Sequence, residues 1–302
     1  MAMNEDEARL CLIADIDSNA ASCLATSADA QSCSPAELVL SGEIDAVIVA
    51  TPPDSHEALC MPLLKRGVAV LCEKPLGITL DAANRLEQAS NLEGTLLCVS
   101  SKFVFAESVT ALATMIREGE ISASSLSLDF SLGLDLIGSW QIDPAVGGGG
   151  VLMDRGPQAI DLIRTLLGEP QRITALRPSG SPYAVEDMVD MHVELSNGRH
   201  ADCVLSWRRT SDSDIYARLI CDEAIVELGW SEARIWRPGS GWERFGPGYD
   251  QHQAFSDQCR AFIRAARGEG EFGAPLISAV ANQILIDNLY SFWRTESPAE
   301  TA

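Results

Sequence analysis

The segment Val68-Ala69-Val70-Leu71-Cys72-Glu73-Lys74-Pro75-Leu76 decides the fold. Its first five residues are apolar or small, the composition of a short strand buried on both faces in a parallel sheet. The strand runs straight into Glu73-Lys74-Pro75. A lysine at the carboxyl end of such a strand lies where open α/β sheets bind their ligands. Pro75 fixes its own φ and biases Lys74 towards an extended backbone, which restricts the aim of the ammonium. A lysine held beside apolar walls can serve in proton transfer. The tripeptide alone fits a surface turn equally well, so its surroundings carry the decision.

Upstream, residues 9–14 read as a strand that ends at Asp15, followed by a small-residue helix over 20–30 and a short helix over 35–40. Residues 46–50 form a second buried strand, which ends in Thr51-Pro52-Pro53-Asp54. Asp54 or Ser55 is placed to cap the next helix, whose apolar positions Ala58, Leu59, Leu63 and Leu64 keep a helical period up to Gly67. Downstream, a helix over 81–90 and a strand over 95–99 follow. Strands alternating with helices at this spacing predict βαβ units, and so a doubly wound parallel sheet over residues 1–100.

Beyond residue 100 the pattern changes. A helix over 106–118 comes first, and the glycine run 147–150 leads into a helix ending near Leu167 and closed by Gly168. Residues 173–236 alternate like antiparallel strands, with the clearest hairpin at Asn197-Gly198. Two helices, over 251–267 and 276–294, close a second domain spanning 101–302, and the tail from 295 is expected to stay disordered.

The chain of 302 residues is 46% hydrophobic, enough to bury two ordinary cores. It has no apolar run long enough for a transmembrane helix and no signal-peptide core at its polar, acidic start. A formal net charge of −21 argues against nucleic acid and against an anionic membrane as partners. The nine cysteines are odd in number, lack Cys-x-x-Cys spacing and sit mostly among apolar residues. That pattern fits a reduced, cytoplasmic protein, and with four scattered histidines it offers no metal site.

The second informative stretch is Gly147-Gly148-Gly149-Gly150-Val151-Leu152-Met153-Asp154-Arg155-Gly156-Pro157-Gln158-Ala159-Ile160-Asp161. On a helix Asp154, Gln158 and Asp161 fall near one face, while Ala159, Leu162, Ile163, Leu166 and Leu167 form an apolar stripe on the other. Asp154 also reads as a helix N-cap, and Asp161 as an ion-pair partner of Arg164 or Arg155.

Taken together, these stretches resemble the Gfo/Idh/MocA family of nicotinamide-dependent oxidoreductases. The matching features are Ala50-Thr51-Pro52-Pro53 with His56, Glu73-Lys74-Pro75, the glycine run into Asp154-x-Gly156-x-x-x-x-Asp161, and Val185-Glu186-Asp187 before a strand. The resemblance covers residues 9–294 and implies a Rossmann domain followed by an α/β domain with an open, mostly antiparallel sheet. It implies Lys74 beside the nicotinamide ribose and the reacting hydroxyl, and Asp154 positioning the substrate or the catalytic base. Asp15 would bind the adenosine ribose, favouring NAD over NADP because an acid repels a 2′-phosphate. Thr51, Pro52, His56 and Glu73 would line the cofactor cleft, although His56 equally suits a packed helix start. The substrate would be a sugar, polyol or sugar derivative, and copies of the chain would associate through the second-domain sheet.

Two departures stand out. The family usually has histidine four residues after the aspartate, where this chain has Gln158. Glutamine can hold a hydroxyl but cannot titrate, so Lys74 with Asp154 would have to carry the proton. The Gly-x-Gly-x-x-Gly loop should precede the ribose-binding acid by ~20 residues, and no such motif lies between Met1 and Asp15. The first Rossmann strand and its helix are therefore expected to be missing, by truncation, by genuine loss of cofactor binding, or because a partner chain supplies them; truncation is the favoured explanation. These departures motivate an alternative to the enzyme: a non-catalytic binding or interaction protein, or a sensor of a sugar ligand.

Overall fold

The computed structural model describes residues 8–296. The chain opens with β1 (Leu12–Ala14), α1 (Ser18–Ser27), β2 (Gln31–Cys33) and α2 (Pro35–Leu40). Asp17 caps α1 by accepting from the amides of Asn19 and Ala20, and Ser34 with Glu37 forms a capping box on α2. There follow β3 (Ala46–Val49), α3 (His56–Lys65), β4 (Ala69–Cys72), α4 (Leu80–Glu93) and β5 (Leu97–Val99). All four residues of β4 are buried, as its apolar run requires. Asp54 and Ser55 do not cap α3 through their side chains; a 3₁₀ turn over Pro53–Ser55 leads in, and the Ser55 hydroxyl bonds Thr51 Oγ1 and the Pro52 carbonyl.

The parallel layer comes in two pieces. β1 pairs with β2, and β3 with β4 and β5, all in parallel register. Among the described residues no ladder joins β1 to β3. The break falls between the two strands that a central strand would separate in a doubly wound sheet. β2 is a polar three-residue strand that the sequence pattern does not announce.

The second domain contains α5 (Glu107–Arg117), β6 (Ala123–Ser131), α6 (Pro144–Gly147), α7 (Val151–Leu167), β7 (Pro170–Leu176), β8 (Met188–Leu195), β9 (His200–Ser206), β10 (Ile215–Cys221), β11 (Ile225–Gly229), β12 (Glu232–Arg237) and β13 (Gly241–Pro247). Its eight strands run in the order β13-β12-β11-β10-β6-β9-β8-β7, antiparallel except for β6 beside β9. The sheet is wider than expected. β13 adds an edge beyond residue 236, and β6 lies in the middle, its Leu126, Leu128 and Phe130 buried between outward Ser125, Ser127 and Asp129.

α7 lies on one face of this sheet. Leu162, Ile163, Leu166 and Leu167 sink into the core with Val189, Met191, Val193, Ala201, Cys203 and Leu205. Each buried leucine, isoleucine, valine or methionine among them contributes about 1.5–3 kcal/mol. The opposite face carries Thr174, His192, Asp202 and Arg218, and Leu285, Asn288 and Phe292 border the groove that crosses it.

The last two helices, α8 (Gln251–Ala266) and α9 (Leu276–Glu296), return to the first domain. Phe262 of α8 packs with Ala69, Leu71 and Cys98 on one face of the three-stranded sheet, and Val280 of α9 packs with Val70, Cys72 and Val99 on the other. Side-chain bonds tie the join: Gln258 accepts from the Ser101 amide at 2.7 Å, and Asp161 accepts from Ser101 Oγ and Asn282 Nδ2. α9 remains helical through 295–296, where disorder is expected from the sequence; the rest of that expectation, from 297, lies outside the described residues.

Candidate active site

Lys74 and Asp154, eighty residues apart in sequence, meet. Lys74 follows β4, and its Nζ lies 2.6 Å from Asp154 Oδ1 and 2.6 Å from the Asp154 carbonyl oxygen. The Lys74–Pro75 peptide is cis, which the sequence does not reveal. Asp154 stands in the first turn of α7 and is not its cap, because the helix starts at Val151 with Gly150 as N-cap. The cap's work is done from a distance. Glu186 Oε1 accepts from the amides of Gly150 and Leu152 at 3.2 and 3.1 Å and from Tyr290 Oη at 2.6 Å. A Cβ at Gly149 would collide with Tyr290 and one at Gly150 with Glu186, so the glycine run permits this close approach. Burial, the largest influence, raises the Glu186 pKa, while these hydrogen bonds oppose it.

Asp154 has two further partners. Trp207 Nε1 donates to Oδ2 at 3.1 Å, and Arg155 Nε lies 3.7 Å from the same oxygen. Burial would raise the Asp154 pKa, but the Lys74 charge and hydrogen bond, with Arg155 and Trp207, outweigh it and hold the group below the ordinary carboxylate range. The carboxylate still keeps 30% of its side-chain surface and Lys74 keeps 16%, so the pair is open to a ligand. Arg155 is mainly structural: its guanidinium donates to the carbonyls of Phe130, Ser206 and Leu132, the ends of the central strands. Gln158, one turn beyond Asp154, is half-buried, and its side chain makes no hydrogen bond among the described residues. Asp161 faces Ser101 and Asn282 rather than forming the expected ion pair, and Arg164 turns to Glu169 and Asn282.

Thr51, Pro52 and Glu73 stand at the carboxyl ends of β3 and β4, as the sequence places them. Glu73 Oε2 accepts from the Lys74 amide at 3.2 Å, and Glu73 lines a cavity of about 660 Å³ with Ala50, Ser100 and Phe255. His56 does not line the cleft. It is fully buried, with Nδ1 2.9 Å from the Pro75 carbonyl and Nε2 2.9 Å from the Thr51 carbonyl. Its ring ties the two cleft loops together from behind. Burial lowers its pKa despite both carbonyls and the nearby Glu73 and Asp54. Asp15 is exposed just beyond β1 and accepts only from the Asp17 amide at 2.9 Å.

A split parallel layer with a lysine–aspartate pair between it and an eight-stranded sheet is a distinctive arrangement, and it has relatives. Residues 1–101 match the oxidoreductase family with an NAD-binding Rossmann fold, and residues 109–227 match the GFO/IDH/MocA C-terminal domain. The chain belongs to the Gfo/Idh/MocA family. Among its relatives, the rhizopine catabolism protein MocA of Rhizobium meliloti is 26% identical, over 81% of this chain and 74% of that protein. An inositol 2-dehydrogenase of Rhodococcus erythropolis is 24% identical, over 77% of this chain and 68% of its own length. In fold, the Gfo/Idh/MocA chain matches a levoglucosan dehydrogenase solved with NADH and levoglucosan at a TM-score of 0.85, 17% identity, 96% of this chain and 89% of that one.

As a Gfo/Idh/MocA protein the chain is a nicotinamide-dependent oxidoreductase, and the residues present fit the two ends of NAD. Asp15 has one carboxylate oxygen unengaged among the described residues just beyond β1, and Lys74 keeps part of its side chain exposed at the carboxyl end of β4. The described residues contain no glycine-rich loop for the pyrophosphate. The sequence leaves Trp207 unmarked and names Glu186 only within the Val185-Glu186-Asp187 motif, because only the folded sheet brings them to α7.

Proposed function

We propose that the chain interconverts a secondary hydroxyl and a carbonyl on a sugar or polyol, with Lys74 as the proton-transfer group. The observation that carries this reading is the Lys74–Asp154 pair, locked by Trp207 and open to solvent at the carboxyl ends of the parallel strands. Bound NAD supplies the acceptor or donor of the hydride. Lys74 Nζ hydrogen-bonds the substrate oxygen, giving it a proton in reduction and taking one in oxidation. Asp154 aims the ammonium and stabilises its charge. The unpartnered Gln158 amide holds a neighbouring hydroxyl, doing by hydrogen bonding what it cannot do by titration. Asp15 selects NAD over NADP through the ribose hydroxyl.

The test is NADH and NADPH binding by fluorescence, followed by turnover at 340 nm over a panel of polyols and aldoses. NADH binding with turnover supports the reading, and absence of NADH binding points to the non-catalytic alternative.

The open face of the eight-stranded sheet supports a second proposal, association with another copy. A groove of about 1420 Å³ crosses it, lined by Ser127, Thr174, His192, Asp202 and Arg218 among others. On the same face Glu227 is fully buried yet paired with Arg218 and Arg234, an ordered charged floor on which a partner could pack. A monomer by sedimentation at micromolar concentration would remove this proposal. All nine cysteines are free thiols, which supports a reducing, cytoplasmic setting.

A further inference from the structure

The chain contains only three lysines among its 22 basic residues, and two of them are at this site. Lys74 is one. The other is Lys102, in the turn that follows β5, at the same carboxyl edge of the parallel layer. Its ammonium lies 5.7 Å from the ring centre of Phe103 and 5.5 Å from that of Phe255, within cation–π range of both. Phe103 is buried in the second-domain core, and Phe255 lines the cavity beside Glu73. Among the described residues no carboxylate or carbonyl accepts from Lys102 Nζ, whereas Lys74 Nζ donates to both the carboxylate and the carbonyl of Asp154.

A half-buried ammonium walled by two rings, with no anion to pair with, has an unmet requirement. Burial lowers the Lys102 pKa, and Lys74 adds to the effect. The charges that reach it are Lys74 and Arg155 on one side and Glu73 and Asp154 on the other. Lys74 and Arg155 balance Glu73 and Asp154, which leaves the Lys102 ammonium over; Asp250, on the same cavity, caps α8 through the Gln253 amide and does not accept from Lys102. A single negative charge completes the site.

We infer that Lys102 is a specificity-determining residue that binds a carboxylate on the substrate, so that the preferred substrates are sugar acids rather than neutral sugars. The inference rests on the Lys74–Asp154 reading of the site, and it selects among the sugar-like substrates which that reading admits. A monoanionic carboxylate matches the charge balance, whereas a phosphate dianion would leave a surplus against Glu73 and Asp154. The flanking rings exclude water from the ion pair and strengthen it.

The experiment is calorimetric binding in the presence of saturating NADH, with three pairs of probes: glucuronate against glucose, galacturonate against galactose, and gluconate against glucitol, with glucose 6-phosphate as the phosphate arm. The native chain is expected to bind at least one carboxylate at least about tenfold more tightly than its neutral counterpart, a charge-assisted hydrogen bond's contribution. Lys102→Met, which keeps the length of the side chain, should abolish that preference without changing NADH affinity, and Lys102→Gln is the second variant should the first fail to fold. No carboxylate preference in the native chain, or a preference that survives both substitutions, overturns the inference. So does tighter binding of the phosphate than of any carboxylate, or a loss confined to NADH affinity. Because the readout is binding, absence of turnover bears on the reading of Lys74 and not on Lys102.

Discussion

Asp154 and Asp161 stand two turns apart on the same helix, both largely enclosed, and their protons behave in opposite ways. Asp154 meets a lysine ammonium and an indole N–H, and its pKa falls below the usual carboxylate range. Asp161 meets a serine hydroxyl and an asparagine amide, and burial, the largest influence, pushes its pKa up. Depth in the fold is similar, so the formal charge of the neighbours decides. A directly bonded cation offsets desolvation, whereas neutral donors with the Arg164 charge at a distance do not. The first carboxylate is kept ionised at a solvent-open edge, and the second fastens α7 to α9 and to the turn after β5.

The substitution expected to cost most is Lys74→Ala. Turnover should drop by about 10²–10⁴-fold, with an unchanged circular dichroism spectrum. Near-normal kcat in that variant would remove Lys74 from proton transfer, and with it the functional half of the comparison. Asp154→Asn should lower kcat by about ten- to a hundredfold by releasing the aim of the ammonium. It should also flatten the acid side of the stability curve. The folded pKa of Asp154 lies below the unfolded value, so its stabilisation is complete above about pH 4 and is lost as pH falls through the folded pKa.

Asp161 should give the converse. Asp161→Ala leaves Ser101 and Asn282 without their acceptor and should lower stability by about 1–3 kcal/mol in urea melts. Asp161→Asn keeps an oxygen for Asn282 and an amide for Ser101, and should be far milder. Its pH signature is inverted. With a raised folded pKa, native Asp161 favours the folded state in acid, and that contribution is lost as pH rises from about 4 through the folded pKa. The asparagine variant should lack this slope, and an unchanged slope would mean that the two carboxylates do not differ.

His56→Gln is the smallest expected effect and carries the comparison to a base. Burial lowers the folded pKa of His56, so the native protein should lose stability as pH falls below about 6.5 towards that pKa. The glutamine variant should lose less over that window, by under about 1 kcal/mol, because one ring N–H already serves a carbonyl. Equal losses in the two proteins would show that the cleft loops do not sense the ring.

Much of this was legible in the chain itself, for definable reasons. β4 and its Glu73-Lys74-Pro75 exit, the apolar stripe of α7 and the hairpin of β8 with β9 are local patterns, and local patterns survive in one dimension. Asp154 and Lys74 were each visible, but only as separate motifs. Trp207 and Tyr290 were silent, and Glu186 stood in a motif without a role, because each acts on α7 from another element. His56 was legible as either a cleft residue or a packed helix start, and only the fold brings in its two carbonyl partners, five and nineteen residues away. β6 was a different kind of omission: its Leu126, Leu128 and Phe130 alternate with polar residues plainly enough to read as a strand. Lys102 obeys the rule that singled out Lys74, a lysine just past a buried strand, and needed Phe103 and Phe255 beside it to stand out.

The return of α8 and α9 to opposite faces of the three-stranded sheet has a practical corollary for chimaeras. A recombinant that joins the first hundred residues of this chain to the remainder of a relative would seat foreign helices on both sides of β4. Phe262 and Val280 are matched to the β4 side chains they cover, so such a graft inherits two mismatched interfaces at once. A workable exchange has three segments, moving α8 and the first half of α9 together with the parallel strands and leaving the eight-stranded sheet as the unit that is swapped.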